Sequence, residues 1–204
     1  MKLNLYARLF LTFTLSIFFS INIFGQTASP LEGCAPLEVQ FTSPVGQPSF
    51  FWDFKTGAFS TLEAPQNIFI TPGAYIVEFK NTEDGPIIGT ITINVYPKPT
   101  IDVTLDTAFG CNPLLVNFTS IIDLAPELEI TQYEWVFGDG EIGESEPDVA
   151  HLYDDSGTFS PSLGIETNVE NCNATAIFND LISVSSVEDV NFVTSPFPAV
   201  VCEP

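Results

Sequence analysis

The sequence predicts an all-β protein that uses one folding unit in series. Three observations carry this reading. First, Gly33-Cys34-Ala35-Pro36-Leu37 returns 77 residues later as Gly110-Cys111-Asn112-Pro113-Leu114, and Cys202-Glu203-Pro204 opens the phrase again 91 residues after that. A phrase recurring at such intervals marks a repeated unit. Second, apolar and polar residues alternate after each full copy, with the period of two that marks a half-buried strand. Third, 16 Pro, 13 Gly and 19 Phe occur without a long helical pattern, as expected of short strands joined by turns.

The start of the chain reads as a targeting leader. Lys2 and Arg8 give a basic start, and Leu9 to Phe24 is uncharged and mostly apolar. That run is shorter than the roughly 20 residues that span a bilayer and matches a secretory signal. Gly25 is the small residue at the expected cut, so residues 1–25 are assigned to a signal peptide. No other apolar run is long enough to cross a membrane. The 179 residues that then remain are enough for two small domains.

Charge narrows the partners. The formal net charge is −21, from five basic and 26 acidic residues, and two of the basic ones lie in the leader. Such acidity argues against binding nucleic acid or anionic lipid. It suits an extracellular setting, secreted or at the cell surface.

Within each unit the elements follow in order. Leu37, Val39 and Phe41 alternate inward, as do Leu114, Val116 and Phe118. Phe50-x-Trp52-x-Phe54 then matches Tyr133-x-Trp135-x-Phe137, the large side chains that would fill the space between two sheets. Gly138-Asp139-Gly140 is a hairpin turn, because Gly accepts positive φ. The first copy reads Lys55-Thr56-Gly57 there. Phe69-x-x-x-Gly73-x-Tyr75 aligns with Tyr153-x-x-x-Gly157-x-Phe159. Pro161 falls where the first copy has Val77, and a missing amide there predicts an edge or a bulge. Ile91, Ile93 and Val95 close the first unit before Tyr96-Pro97-Lys98-Pro99, a stiff linker. Ile182 and Val184 close the second. The offset between copies grows from 77 to 89 along the unit, and the extra length is expected between strands.

Together, Cys111-Asn112-Pro113-Leu114, Trp135-Val136-Phe137-Gly138-Asp139-Gly140, His151-Leu152-Tyr153 and Gly157-Thr158-Phe159 resemble the PKD (polycystic kidney disease) domain. The hallmark of that family is Trp-Asp-Phe-Gly-Asp-Gly followed by His-x-Tyr and Gly-x-Tyr. Residues 98–186 match it, with Val136 and Phe159 as substitutions. Residues 29–97 match in outline, with Asn67 at the His position. Residues 187–204 read as a third unit cut short, with an expected poorly ordered tail. The resemblance implies tandem immunoglobulin-like β-sandwiches and a non-catalytic role. It also places Trp52, Trp135, Phe137, His151, Tyr153 and Gly157 in the structural core.

Residues that could carry chemistry are few. Cys111 opens the second unit and Cys172 precedes its last strands, which predicts a Cys111–Cys172 disulfide in an oxidising compartment. Cys34 then has no partner within its own unit, and a Cys34–Cys202 bond is the formal alternative. The acidic stretch around Asp139, Glu141 and Asp148 offers hard oxygens for calcium, but lacks the spacing of an EF-hand loop. The alternative is a solvated acidic hairpin. No other cofactor is expected. His151 is the only histidine, and no nucleophile elbow, zinc motif or phosphate loop occurs. Phe51 and Phe59 lie outside the core pattern and are the aromatic candidates for outside contact.

The expected function is a non-enzymatic extracellular PKD array for spacing, adhesion, or contact with protein or carbohydrate. The alternative is an accessory region of a secreted protease or polysaccharide hydrolase. No membrane insertion is expected after signal cleavage.

Overall fold

The computed structural model describes residues 25–186, residue 144 excepted. The expected leader, apart from Gly25, and the expected third unit lie outside the described residues. Those described form strands and turns only.

The first sandwich contains β1 (Thr27–Ser29), β2 (Glu32–Cys34), β3 (Leu37–Thr42), β4 (Phe51–Asp53), β5 (Phe59–Ser60), β6 (Gln66–Phe69), β7 (Gly73–Lys80) and β8 (Gly89–Tyr96). One sheet has the order β1-β3-β6, the other β2-β8-β7-β4-β5. Strand β3 is buried and exposed at strictly alternate positions, as its period-two sequence requires. Its inward Leu37, Val39 and Phe41 meet Trp52, Phe54, Val77, Phe79 and Ile93 from the opposite sheet.

The second sandwich contains β9 (Thr100–Leu105), β10 (Phe109–Cys111), β11 (Leu114–Asp123), β12 (Ile130–Val136), β13 (Asp148–Tyr153), β14 (Gly157–Phe159), β15 (Ser162–Thr167), β16 (Ala174–Ile177) and β17 (Ile182–Ser185). Strands β9, β11 and β13 form one layer. The other layer is split into β12-β15-β16 and β10-β17-β14. Its core joins Val116, Phe118, Trp135, Phe137, Tyr153 and Leu163.

Cross-strand registers match at equivalent core positions of the two units. Val39 pairs with Asn67 and Leu37 with Phe69; Val116 pairs with His151 and Leu114 with Tyr153. Trp52 faces Phe79 across the strands, and Trp135 faces Leu163. Trp52 and Trp135 are both fully buried. Each indole donates to a loop carbonyl, Leu62 at 3.2 Å and Glu146 at 3.0 Å. Phe41 and Phe118 pack on these indoles at 5.3 and 5.4 Å. The Ala35-Pro36 and Asn112-Pro113 peptides are both cis.

Two expectations need correction. The length added between Phe118 and Trp135 does not go mainly into a loop. It extends the strands: β11 has 10 residues against six in β3, and β12 seven against three in β4. Pro161 lies neither on an edge strand nor within a bulge. It interrupts the strand that runs unbroken as β7 in the first unit, separating β14 from β15. With no amide to donate, the ladder stops there, while the Pro161 carbonyl still accepts from Phe178 N–H at 2.8 Å.

Candidate functional site

The predicted Cys111–Cys172 disulfide is not formed. Cys172 is bonded instead to Cys34, 138 residues away, with a Cα–Cα distance of 5.1 Å. Cys111 is itself disulfide-bonded. Cys34 ends β2, which runs parallel to β8 with Cys34 beside Tyr96. That register carries Cys34 to the end of the first sandwich from which the linker leaves. Cys172 lies in the turn between β15 and β16, closed by Cys172 N–H to the Val169 carbonyl at 3.2 Å, with Asn171 at positive φ. The bond therefore joins two sandwiches rather than stapling one.

An apolar seat surrounds it. Cys34 and Cys172 are buried with Ala125, Leu128 and Val169, and Tyr96 and Leu124 pack alongside. Leu124, Ala125 and Leu128 belong to the connection between the lengthened strands β11 and β12. Leu128 N–H closes a turn onto the Ala125 carbonyl, and Glu129 and Asn168 bind each other twice, at 3.0 and 2.9 Å. The added segment of the second unit thus builds the seat for the first unit's cysteine. Beside it, Tyr96 donates to Glu32 at 3.0 Å. Burial and the carboxylates of Glu32 and Glu127 push the Tyr96 phenol above its ordinary range. Pro72, Gly73, Ala74, Asn94 and Pro97 complete an open cleft next to Glu127.

His151 forms a second cluster. Its ring lies flat on Phe137 at 3.8 Å and edge-on to Tyr153 at 4.6 Å. Its Nε2 is 2.6 Å from Asp139 Oδ2. Asp139 Oδ1 accepts the Glu141 N–H at 3.0 Å. Burial raises the Asp139 carboxyl, but the Glu141 amide and His151 outweigh it and leave it below the usual range. Tyr153 donates to the Phe137 carbonyl at 3.1 Å, and burial pushes its phenol up. Gly138 adopts φ 89°, and a Cβ there would sit 2.9 Å from the Ser160 nitrogen. The cluster pins the Gly138–Gly140 turn onto β13. Gly157 opens β14 opposite Val184, and Phe159 packs on Tyr153 at 4.7 Å.

Asp139 and Asp148, named for calcium, take part in local hydrogen bonds. Asp139 spends both oxygens on Glu141 and His151, and Asp148 Oδ1 accepts the Ser120 N–H at 3.0 Å. Glu141 is three-quarters exposed. Among the described residues no group of three His, Cys, Asp or Glu is placed to hold a metal ion.

Phe51 and Phe59 stack on the outer face of the first sandwich, 5.4 Å apart and 15° from parallel. Sequence reasoning missed the Cys34–Cys172 pairing. The missing cysteine opposite Cys34 in its own unit was the available signal, since a buried cysteine without a local partner looks to a neighbouring unit.

Comparison with known proteins fits this picture. Residues 96–180 match the family model of the PKD domain. Among solved structures, the PKD1 domain of Vibrio anguillarum Epp is similar at 22% identity and TM-score 0.35, covering 43% of this chain and 96% of that one. The three N-terminal domains of the bacteriophage RB49 highly immunogenic outer capsid protein match at 11% identity and TM-score 0.37, covering 78% of this chain and 58% of that one. Murine CEACAM1b matches at 11% identity and TM-score 0.37, covering 79% and 99%. PKD domains are generally non-catalytic modules. Over residues 96–180 the second sandwich is thus similar to the PKD domain family.

Proposed function

We propose that this chain is a non-catalytic extracellular module that holds two immunoglobulin-like sandwiches as one braced spacer for contact at a cell surface. The observation that carries the proposal is the buried Cys34–Cys172 bond between the sandwiches. A short Pro-rich linker limits bending but leaves torsional freedom. A second covalent tie, seated on Leu128 and Val169, removes most of what remains. Catalysis gains nothing from such a brace; reach and presentation do. Buried disulfides persist in oxidising compartments, which supports a secreted or surface location, as does the leader-like start. The strong negative charge keeps such a module soluble, and no helix among the described residues is long and apolar enough to cross a membrane.

Small-angle scattering tests the brace. The purified chain is expected to give a narrow distribution of inter-sandwich distances, and the Cys34→Ser/Cys172→Ser variant a broader one. Identical distributions would remove the spacer reading. Cell fractionation that found the native protein only in the cytoplasm would remove the extracellular one.

A further inference from the structure

The first sandwich presents on its outer face a set of groups that its own fold does not need. Phe59 lies on the two-residue edge strand β5 and is 65% exposed. Its ring is held nearly parallel to Phe51, which is buried beneath it but stands apart from the core cluster. Phe51 and Asp53 point outward because Trp52 between them points in. Asp53 is directly opposite Phe59. From Asp53 a ladder of charge runs across to β7: Asp53 to Lys55 at 2.7 Å, Lys55 to Glu78 at 2.9 Å, and Glu78 to Lys80 at 3.2 Å. Lys80 in turn is the cross-strand neighbour of Phe51.

The second sandwich shows that the scaffold does without these groups. The bridge between Val136 and Ile142 stands where Asp53 pairs with Phe59. Glu134 opposite Gly164, and Val136 opposite Ser162, take the places of Phe51 opposite Lys80 and Asp53 opposite Glu78. Interior positions match while this outer face is rebuilt.

We propose that the face centred on Phe59 binds an uncharged polysaccharide. A supported, exposed aromatic ring offers a flat apolar plate to the C–H face of a sugar ring, with little ordering cost because Phe51 already fixes it. Asp53 and Lys55, each about a third exposed, supply an acceptor and donors for hydroxyls at the rim of the plate. Two lysines facing two carboxylates leave the patch balanced, and the net charge of −21 repels polyanions, so the polymer is neutral. The plate holds one ring and lies open at a sheet edge. A polymer offers that single plate many equivalent sugars, which raises the apparent affinity over one free sugar in proportion to their number. The proposal rests on the reading of the chain as an extracellular contact module. The two fail separately, since scattering reads the inter-sandwich bond and the test below reads Phe59.

Affinity electrophoresis of the full chain through gels containing laminarin, xylan, galactomannan or hydroxyethylcellulose is the test, with alginate and polygalacturonate as anionic probes. Retardation by at least one neutral polymer is expected. Phe59→Ala should weaken it about tenfold, the equivalent of ~1.4 kcal/mol, with an unchanged unfolding temperature. Ile142→Ala, at the matching position of the second sandwich, should bind as the parent does. Retardation by no neutral polymer, by the anionic ones alone, or equally strong in Phe59→Ala would overturn the proposal.

Discussion

His151 occupies in the second sandwich the place that Asn67 occupies in the first, and the two side chains are treated differently. His151 finds Asp139 at 2.6 Å and the flat face of Phe137. Asn67 Nδ2 is buried with no hydrogen-bond partner among the described residues. The turn that carries Asp139 has Gly138 and Gly140 at positive φ; in the first sandwich Lys55 takes the position of Gly138, at φ 60°. There Asp53 caps the Lys55 N–H at 2.9 Å, and the Lys55 ammonium reaches Asp53 and Glu78. One unit fastens its turn from inside through a shielded acid–imidazole pair. The other fastens it through a ladder of ion pairs on the outer face of the sheet. The same interior can therefore be closed in two ways.

The largest expected effects test whether the two interiors are equivalent. Trp52→Ala and Trp135→Ala should each cost about 3–5 kcal/mol. Peptide-resolved hydrogen exchange should show the loss concentrated in the mutated sandwich. A mild effect at one tryptophan would break the equivalence. Next comes the bond between the units. A loop of this length is worth about 5 kcal/mol at most in the chain-entropy model, and roughly 2–4 kcal/mol in typical measurements. Cys34→Ser and Cys172→Ser should lower the melting temperature alike, and the double variant no further, because both remove one bond. An additive double variant would contradict the pairing.

A smaller effect separates the two closures by pH. The folded Asp139 carboxyl lies below its ordinary value of 3.8. Its contribution is therefore complete above about pH 4 and is lost as pH falls through the folded value. Asp139→Asn should cost about 1–2 kcal/mol at neutral pH. It should also flatten the acid side of the stability curve for the second sandwich, read by hydrogen exchange below about pH 4. An unchanged acid slope would deny the His151–Asp139 pair its role. The smallest effect is expected at Glu78→Gln. The Glu78 carboxyl is held low by Lys55 and Lys80, but ion pairs on the face of a sheet contribute little. Any drop in melting temperature should vanish in about 1 M salt. A salt-resistant loss would mean that the ladder supports the fold and is not simply presented on it.

Much of the interior was readable because its signals are local. Leu37, Val39 and Phe41 alternate at the spacing of a pleated strand, and only one side of such a strand can face a core. The positions of Trp52 and Trp135 follow from the same alternation. The Pro161 effect was readable in kind, a missing donor, but not in extent. Whether a strand bends or stops depends on what pairs beside it, and here Phe178 takes the Pro161 carbonyl. The acidic run from Asp139 to Asp148 was readable as charge but not as contacts. Charge density along a chain does not say what each carboxylate bonds, and here Asp148 takes Ser120 while Asp139 takes Glu141 and His151.

By itself the sequence determined that the chain forms strands, that the pattern repeats, and which side chains turn inward, since each follows from nearest-neighbour geometry and the cost of leaving apolar groups in water. Only the tertiary structure decided that Cys34 reaches Cys172. That pairing depends on how the second unit's longer β11 and β12 raise Leu124, Ala125 and Leu128 against the end of the first. Two sulfurs 138 residues apart meet because whole sheets place them together, and spacing along a chain carries no record of that.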